Sequence, residues 1–228
     1  MRLVVRTFSE LCLTVGTLIV LFVVYVLYWT GVQARGAGGE QIDTLQRQWA
    51  AAPATAPAAP GRPSPAAQPP PYAPGKGLAV MYVPRLGADW KWPVLEGTGP
   101  DVLRKGLGHY AATARLGATG NFAVAGHRRT HGDPFKDFPR LRPGDAVVLT
   151  DGTTWFTYRI DRGPYRTVPT DVGVVDPVPR KSGHRGPGRY LTLTTCDPEW
   201  GSSHRLVVWA HLDATRPVAD GLPRALDS

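Results

Sequence analysis

Residues 11–29, LCLTVGTLIVLFVVYVLYW, form an uninterrupted run without a single charge. As a helix rising 1.5 Å per residue, nineteen residues span about 29 Å, the hydrocarbon thickness of a bilayer. Arg2 and Arg6 precede the run, and Tyr25, Tyr28 and Trp29 cluster at its far end. Interfacial aromatics and the positive-inside bias predict a cytoplasmic tail (1–10), an anchor (11–29) and everything beyond on the outer side of a cell membrane. The run exceeds the core of a cleaved signal peptide and no clear small-x-small cleavage site follows, so an uncleaved single-pass anchor is expected.

Residues 30–77 read as a spacer. Its first part is mixed, with at most a short amphipathic helix around Gln41 to Trp49. Residues 51–77, AAPATAPAAPGRPSPAAQPPPYAPGKG, are too rich in Ala and Pro to bury a core and favour a semi-rigid extended stalk. From Leu78 the texture changes to short β-branched and aromatic runs between turn signals: 78–84, 121–127, 145–151, 153–160, 190–196 and 204–212. Asp151-Gly152 between two of them is a hairpin signal. The pattern predicts an all-β barrel or sandwich with one or two short helices, near 101–107 and 133–141. The domain is expected over 78–216, followed by a tail, 217–228.

The chain carries a formal charge of +8. From Leu78 onward 20 Lys and Arg stand against 15 Asp and Glu, a net of +5. The basic residues are scattered, with no run and no helical stripe, which argues against nucleic acid and fits an anionic wall polymer or lipid surface. Of the two cysteines, Cys12 lies in the apolar run, leaving Cys196 as an unpaired thiol in the exported part. TLTTC ends a strand at Cys196, and Arg205 opens the next strand after an eight-residue loop. A hairpin there brings a guanidinium to a thiol, where it favours the thiolate and can donate to a developing oxyanion. Upstream, AGHR places His127 at a strand end, where an imidazole can protonate a leaving amine.

TLTTC followed by Arg after nine residues, with AGHR upstream, resembles the sortase family over roughly residues 78–212. The anchor, the stalk and the GHR context look most like the class E sortases of actinobacteria. The resemblance implies a closed β-barrel of about eight strands and a cysteine transpeptidase with Cys196 as nucleophile, His127 as acid/base and Arg205 as substrate and oxyanion partner. It implies cleavage of a Thr–Gly bond in an LAxTG or LPxTG sorting signal. The acyl group then passes to the amine of a lipid II-like cell-wall precursor. His109 and Tyr110, in GLGHY, resemble a segment beside the substrate groove, and Thr195 can bond substrate backbone; strand packing explains all three equally well. No cofactor and no metal are expected: HRRTH (127–131) lacks the Glu of a zincin, and Gly132-Asp133-Pro134 breaks any helix. His131 reads first as an exposed loop residue and second as lining the loop near the site, and Asp197 and Glu199 as solvated or as tuning Arg205. Two rival readings share the anchor: a non-catalytic wall-binding module, and an endopeptidase using the same three residues with water as acceptor.

Overall fold

The computed structural model describes residues 2–51 and 71–227. The expected stalk falls mainly in the intervening stretch, outside the described residues. Helix α1 (Arg2–Ala51) is continuous through the apolar run and the mixed segment beyond it. Val4–Tyr25 is long and apolar enough to cross a membrane, with a mean hydropathy of 2.1, and none of it is buried.

The second half of α1 behaves differently. Ala34, Gly38, Ile42, Leu45 and Trp49 recur at intervals of three and four residues, which lines one helical face. That face lies on the barrel: Ile42 and Leu45 are buried with Val80, and Trp49 and Tyr82 flank them. Backbone glycines form the seats. A Cβ on Gly77 would stand 2.9 Å from Leu45, and one on Gly38 would stand 3.2 Å from Trp92. Segment 30–51 is therefore a docked helix rather than part of a stalk with at most a short helix. Burying Ile42 and Leu45 contributes about 1.5–3 kcal/mol each.

Eight strands form the closed barrel: β1 (Gly77–Tyr82), β2 (Lys91–Glu96), β3 (Leu107–His109), β4 (Gly120–Ala125), β5 (Ala146–Thr150), β6 (Thr154–Thr167), β7 (Arg189–Asp197) and β8 (His204–Pro217). Their order around the barrel is β1-β2-β3-β4-β7-β8-β6-β5. Two pairings, β2–β3 and β4–β7, are parallel, and the rest are antiparallel. The short helix α2 (Pro100–Leu103) precedes β3, and a 3₁₀ turn, Phe138–Arg140, lies where the second short helix was expected. Asp151 Oδ1 accepts from the backbone N–H groups of Thr153 and Thr154, making the β5–β6 hairpin turn that Asp151-Gly152 announced.

Alternation along the strands assigns two faces. Phe122, Val124, Leu191, Leu193, Leu206, Val208 and Ala210 point into the core. Thr192, Val207 and Trp209 point outward, beneath the long β6–β7 connection: Trp209 Nε1 donates to Val174 O (3.0 Å) and Thr192 Oγ1 to Asn121 Oδ1 (2.9 Å). The outer face of β4, β7 and β8 is thus a covered surface, and its open end holds the candidate site.

Candidate active site

Register builds the site. Cys196 on β7 pairs directly with Arg205 on β8, so the two side chains share the outer face. In the parallel β4–β7 ladder Ala125 is level with Thr194. Extending that ladder by two residues sets His127 level with Cys196, beyond the last pairing, where Gly126 N still donates to Thr194 O (3.1 Å). Three neighbouring strands therefore bring His127, Cys196 and Arg205 into one row. The thiol is partly exposed and unpaired.

His127 is half-buried. Burial first, then the neighbouring His131, push its pKa below the usual histidine value, and Asp133 opposes them. Its imidazole stacks on that of His131, with ring centroids 4.9 Å apart and planes 24° apart. His131 is thus not the exposed loop residue expected from sequence. The Arg205 guanidinium is held by its own loop: Nη1 donates to Ser202 O (3.0 Å) and His204 O (2.9 Å). Nε and Nη2 have no protein acceptor among the described residues, which leaves donors for an incoming oxyanion.

An ionic clamp joins the His127 loop to the loop after Cys196. Arg128 donates through Nη1 to Asp197 Oδ1 (2.5 Å) and lies 3.5 Å from Cys196 O. Arg166 Nε donates to Asp197 Oδ2 (2.6 Å) and its Nη2 meets His204 Nδ1 (3.0 Å). Arg129 pairs with Glu199 and lies over the exposed Trp200 ring, 4.6 Å from its centroid. Asp197 and Glu199 therefore engage Arg128, Arg166 and Arg129, not Arg205 as one sequence reading had it. Burial alone would raise the Asp197 carboxyl; the hydrogen bonds from Arg166 and Arg128 outweigh it and hold the pKa below the usual carboxylate value.

The profile described as "Sortase domain" matches residues 81–213, more than half of the chain. The chain belongs to the sortase family. It is 40% identical to Sortase SrtE1 of Streptomyces coelicolor over 230 aligned positions, covering 98% of this chain and 61% of that protein. The solved sortase E of Streptomyces avermitilis superposes with a TM-score of 0.65 at 74% identity, covering 68% of this chain and 99% of that one. Sortase E1 of Streptomyces coelicolor, solved with a tripeptide in its active site, gives 0.64 at 43% identity over the same shares. The closed barrel and the class E resemblance agree with these relatives.

Within this sortase barrel the three further residues named from sequence part ways. Tyr110 lies on the outer face, its hydroxyl 3.0 Å from Thr194 Oγ1, two residues along β7 from Cys196. His109 points inward and is 1% exposed. Its Nδ1 meets Glu96 Oε2 (2.6 Å), its Nε2 meets Thr113 Oγ1 (3.0 Å), and its ring stacks on Phe122 (4.5 Å). A side chain so enclosed packs the barrel and is out of a substrate's reach. Thr195 also points away from Cys196; its hydroxyl donates to Gly126 O (2.9 Å) and ties β7 to the end of β4. Arg128 entered the sequence reading only as the last residue of AGHR, with no role of its own. A tandem Arg in a loop looks solvated, and only the fold shows that it is buried.

Proposed function

We propose that this sortase is a membrane-anchored cysteine transpeptidase acting on a C-terminal sorting signal of the LAxTG or LPxTG kind. The observation that carries the reading is the cross-strand pair Cys196–Arg205 with His127 level beside it in the β4–β7 ladder. The Cys196 thiolate attacks the threonine carbonyl carbon, and the carbonyl electrons move to oxygen. Arg205, through the N–H groups its loop does not use, donates to that oxyanion. Collapse re-forms the carbonyl and expels the glycine amine, which takes its proton from His127. The resulting thioester is attacked by the amine of a cell-wall precursor, His127 accepts the amine's proton, and the thiolate leaves.

Tyr110 is the substrate contact this reading retains, since its ring shares the outer face with Cys196. The tripeptide in the active site of the Streptomyces coelicolor relative supports a peptide substrate at the corresponding site. The apolar stretch of α1 supports a single span, and Arg2 and Arg6 before it support a cytoplasmic N-terminus with the barrel outside.

The test is transfer. The protein is incubated with LAxTG or LPxTG peptide and a glycine amine, and products are read by mass spectrometry. The proposal expects a Thr–amine amide product that Cys196→Ala abolishes. Hydrolysis alone at saturating amine would identify an endopeptidase, and no cleavage of either peptide by folded protein would refute the substrate class.

A further inference from the structure

The loop that follows His127 carries a feature that the acyl-transfer chemistry does not use. Thr130, His131, Gly132 and Asp133 all have positive φ, at 70°, 48°, 83° and 53°. Three of these four residues carry a Cβ, and such a run persists only where its surroundings over-determine it. The surroundings do so. Asp133 N donates to Thr130 O (3.1 Å), and Phe135 N donates to His127 O (3.0 Å) from a fully buried residue. A Cβ on Gly132 would come within 2.4 Å of Trp92 on β2 and 3.4 Å of Ala34 on α1. The docked half of the anchor helix and the barrel wall therefore hold the loop from both sides. The product of this strained turn is one placement: it folds His131 back onto His127, ring against ring.

We propose that His131 is a positioning residue for His127, its ring forming the back wall that fixes the orientation of the catalytic imidazole. The proposal rests on the assignment of His127 as the acid of the transfer. Thr130 Oγ1 meets His131 Nδ1 (3.0 Å), which fixes the second ring in turn. Behind it lies a cleft of about 590 Å³ where Gln33 and Glu40 of α1 face Arg104 and Lys105. The charged and titratable groups around the stacked pair are thus Glu40 from α1, Arg104 and Lys105 from the turn after α2, Arg129 and Asp133 from the loop itself, and Cys196 and Arg205 from the adjoining strands. Of these, Arg104 opposes a proton on His131 and Asp133 favours one on both rings. A stacked wall removes the rotational freedom that would let the imidazole leave the line of the scissile bond, and misplacement of a catalytic group by about an ångström costs rate steeply.

The experiment measures kcat and KM for peptide cleavage, the melting temperature, and the NMR titration of the His127 ring, in the full chain and in H131A, H131F and H131Q. H131A is expected to lower kcat about tenfold with KM within about twofold. H131F keeps the plate without the charge; it is expected to recover kcat to within about threefold and to raise the His127 titration midpoint above that of the native chain. If H131A does not fold, H131Q, which can keep the Thr130 contact but not the stack, replaces it. Native kcat and an unchanged His127 midpoint in all variants would overturn the proposal. So would H131F losing as much rate as H131A at the native melting temperature. H127A separates this from the underlying reading: activity retained in H127A removes both, whereas an inactive H127A beside fully active H131 variants removes only the role of His131.

Discussion

Asp197→Asn tests the ionic clamp that ties the loop after His127 to the loop after Cys196. The substitution keeps the shape of the side chain and removes its charge. Arg128 then stays in place with its side chain only 10% exposed and no counter-charge, because Asp197, 15% exposed, is its sole ion-pair partner among the described residues. Removing one member of a fully buried pair costs about 3–5 kcal/mol. Residual exposure, and the acceptor that Asn retains, reduce this to about 2 kcal/mol. Arg166 is 55% exposed, so the loss of its pair adds less than about 1 kcal/mol. For a domain of this size the melting temperature should fall by about 4–8 °C. The carboxyl has a depressed pKa in the folded state, so its contribution is fully present above the unfolded value of about 3.9 and is lost as pH falls through the folded value. The gap between native and variant melting temperatures should therefore be constant from about pH 5 to 8 and close below about pH 4. Calorimetry across that range, with Arg128→Met completing a double-mutant cycle, measures it. A shift under about 2 °C at neutral pH, or no coupling in the cycle, would refute the clamp.

Arg205→Lys keeps the charge but loses the planar donor set, and kcat should fall about 10- to 100-fold with little change in KM, read from steady-state peptide cleavage. Leu45→Ala removes a 4%-exposed side chain from the helix seat and should cost about 2–3 kcal/mol of docking. Hydrogen exchange in the full chain should show protection lost over residues 38–49 and kept in the barrel strands. Burial, with nearby positive charge, lowers the pKa of both His127 and His131 below the ordinary value of 6.5. The unfolded chain then binds more protons, so stability should be complete above that value and decline as pH falls through it toward the folded values. His127→Gln should flatten this part of the melting profile.

Six of the eight strands were legible as short β-branched and aromatic runs, because turn signals bound each of them. β2 was not. Its sequence KWPVLE contains Pro93, which cannot donate to a ladder and reads against a strand interior. β3 has three residues, too few to show a period. Of the docked half of α1 only a short amphipathic helix around Gln41 to Trp49 was legible, because the surface that receives the full stripe, Val80, Tyr82 and Trp92, comes from two strands and exists only once the barrel closes. That Cys196, His127 and Arg205 would lie at strand ends was legible, because two local motifs announced those ends. The inward turn of His109 and Thr195 was not, because it depends on the parity of each strand, which a one-residue shift of register reverses. The His131 stack follows a turn of four positive-φ residues, and three of those residues gave no warning of it.

Trapping the covalent intermediate proposed on Cys196 tests the mechanism at its decisive step. The protein is mixed with sorting-signal peptide without amine, quenched in acid, and its intact mass measured. The expected result is a mass increase equal to the peptide truncated after Thr less one water, the acyl group of a thioester, mapped to Cys196, released by hydroxylamine and absent in Cys196→Ala. An adduct on another residue, or cleavage that persists in Cys196→Ala, would contradict it.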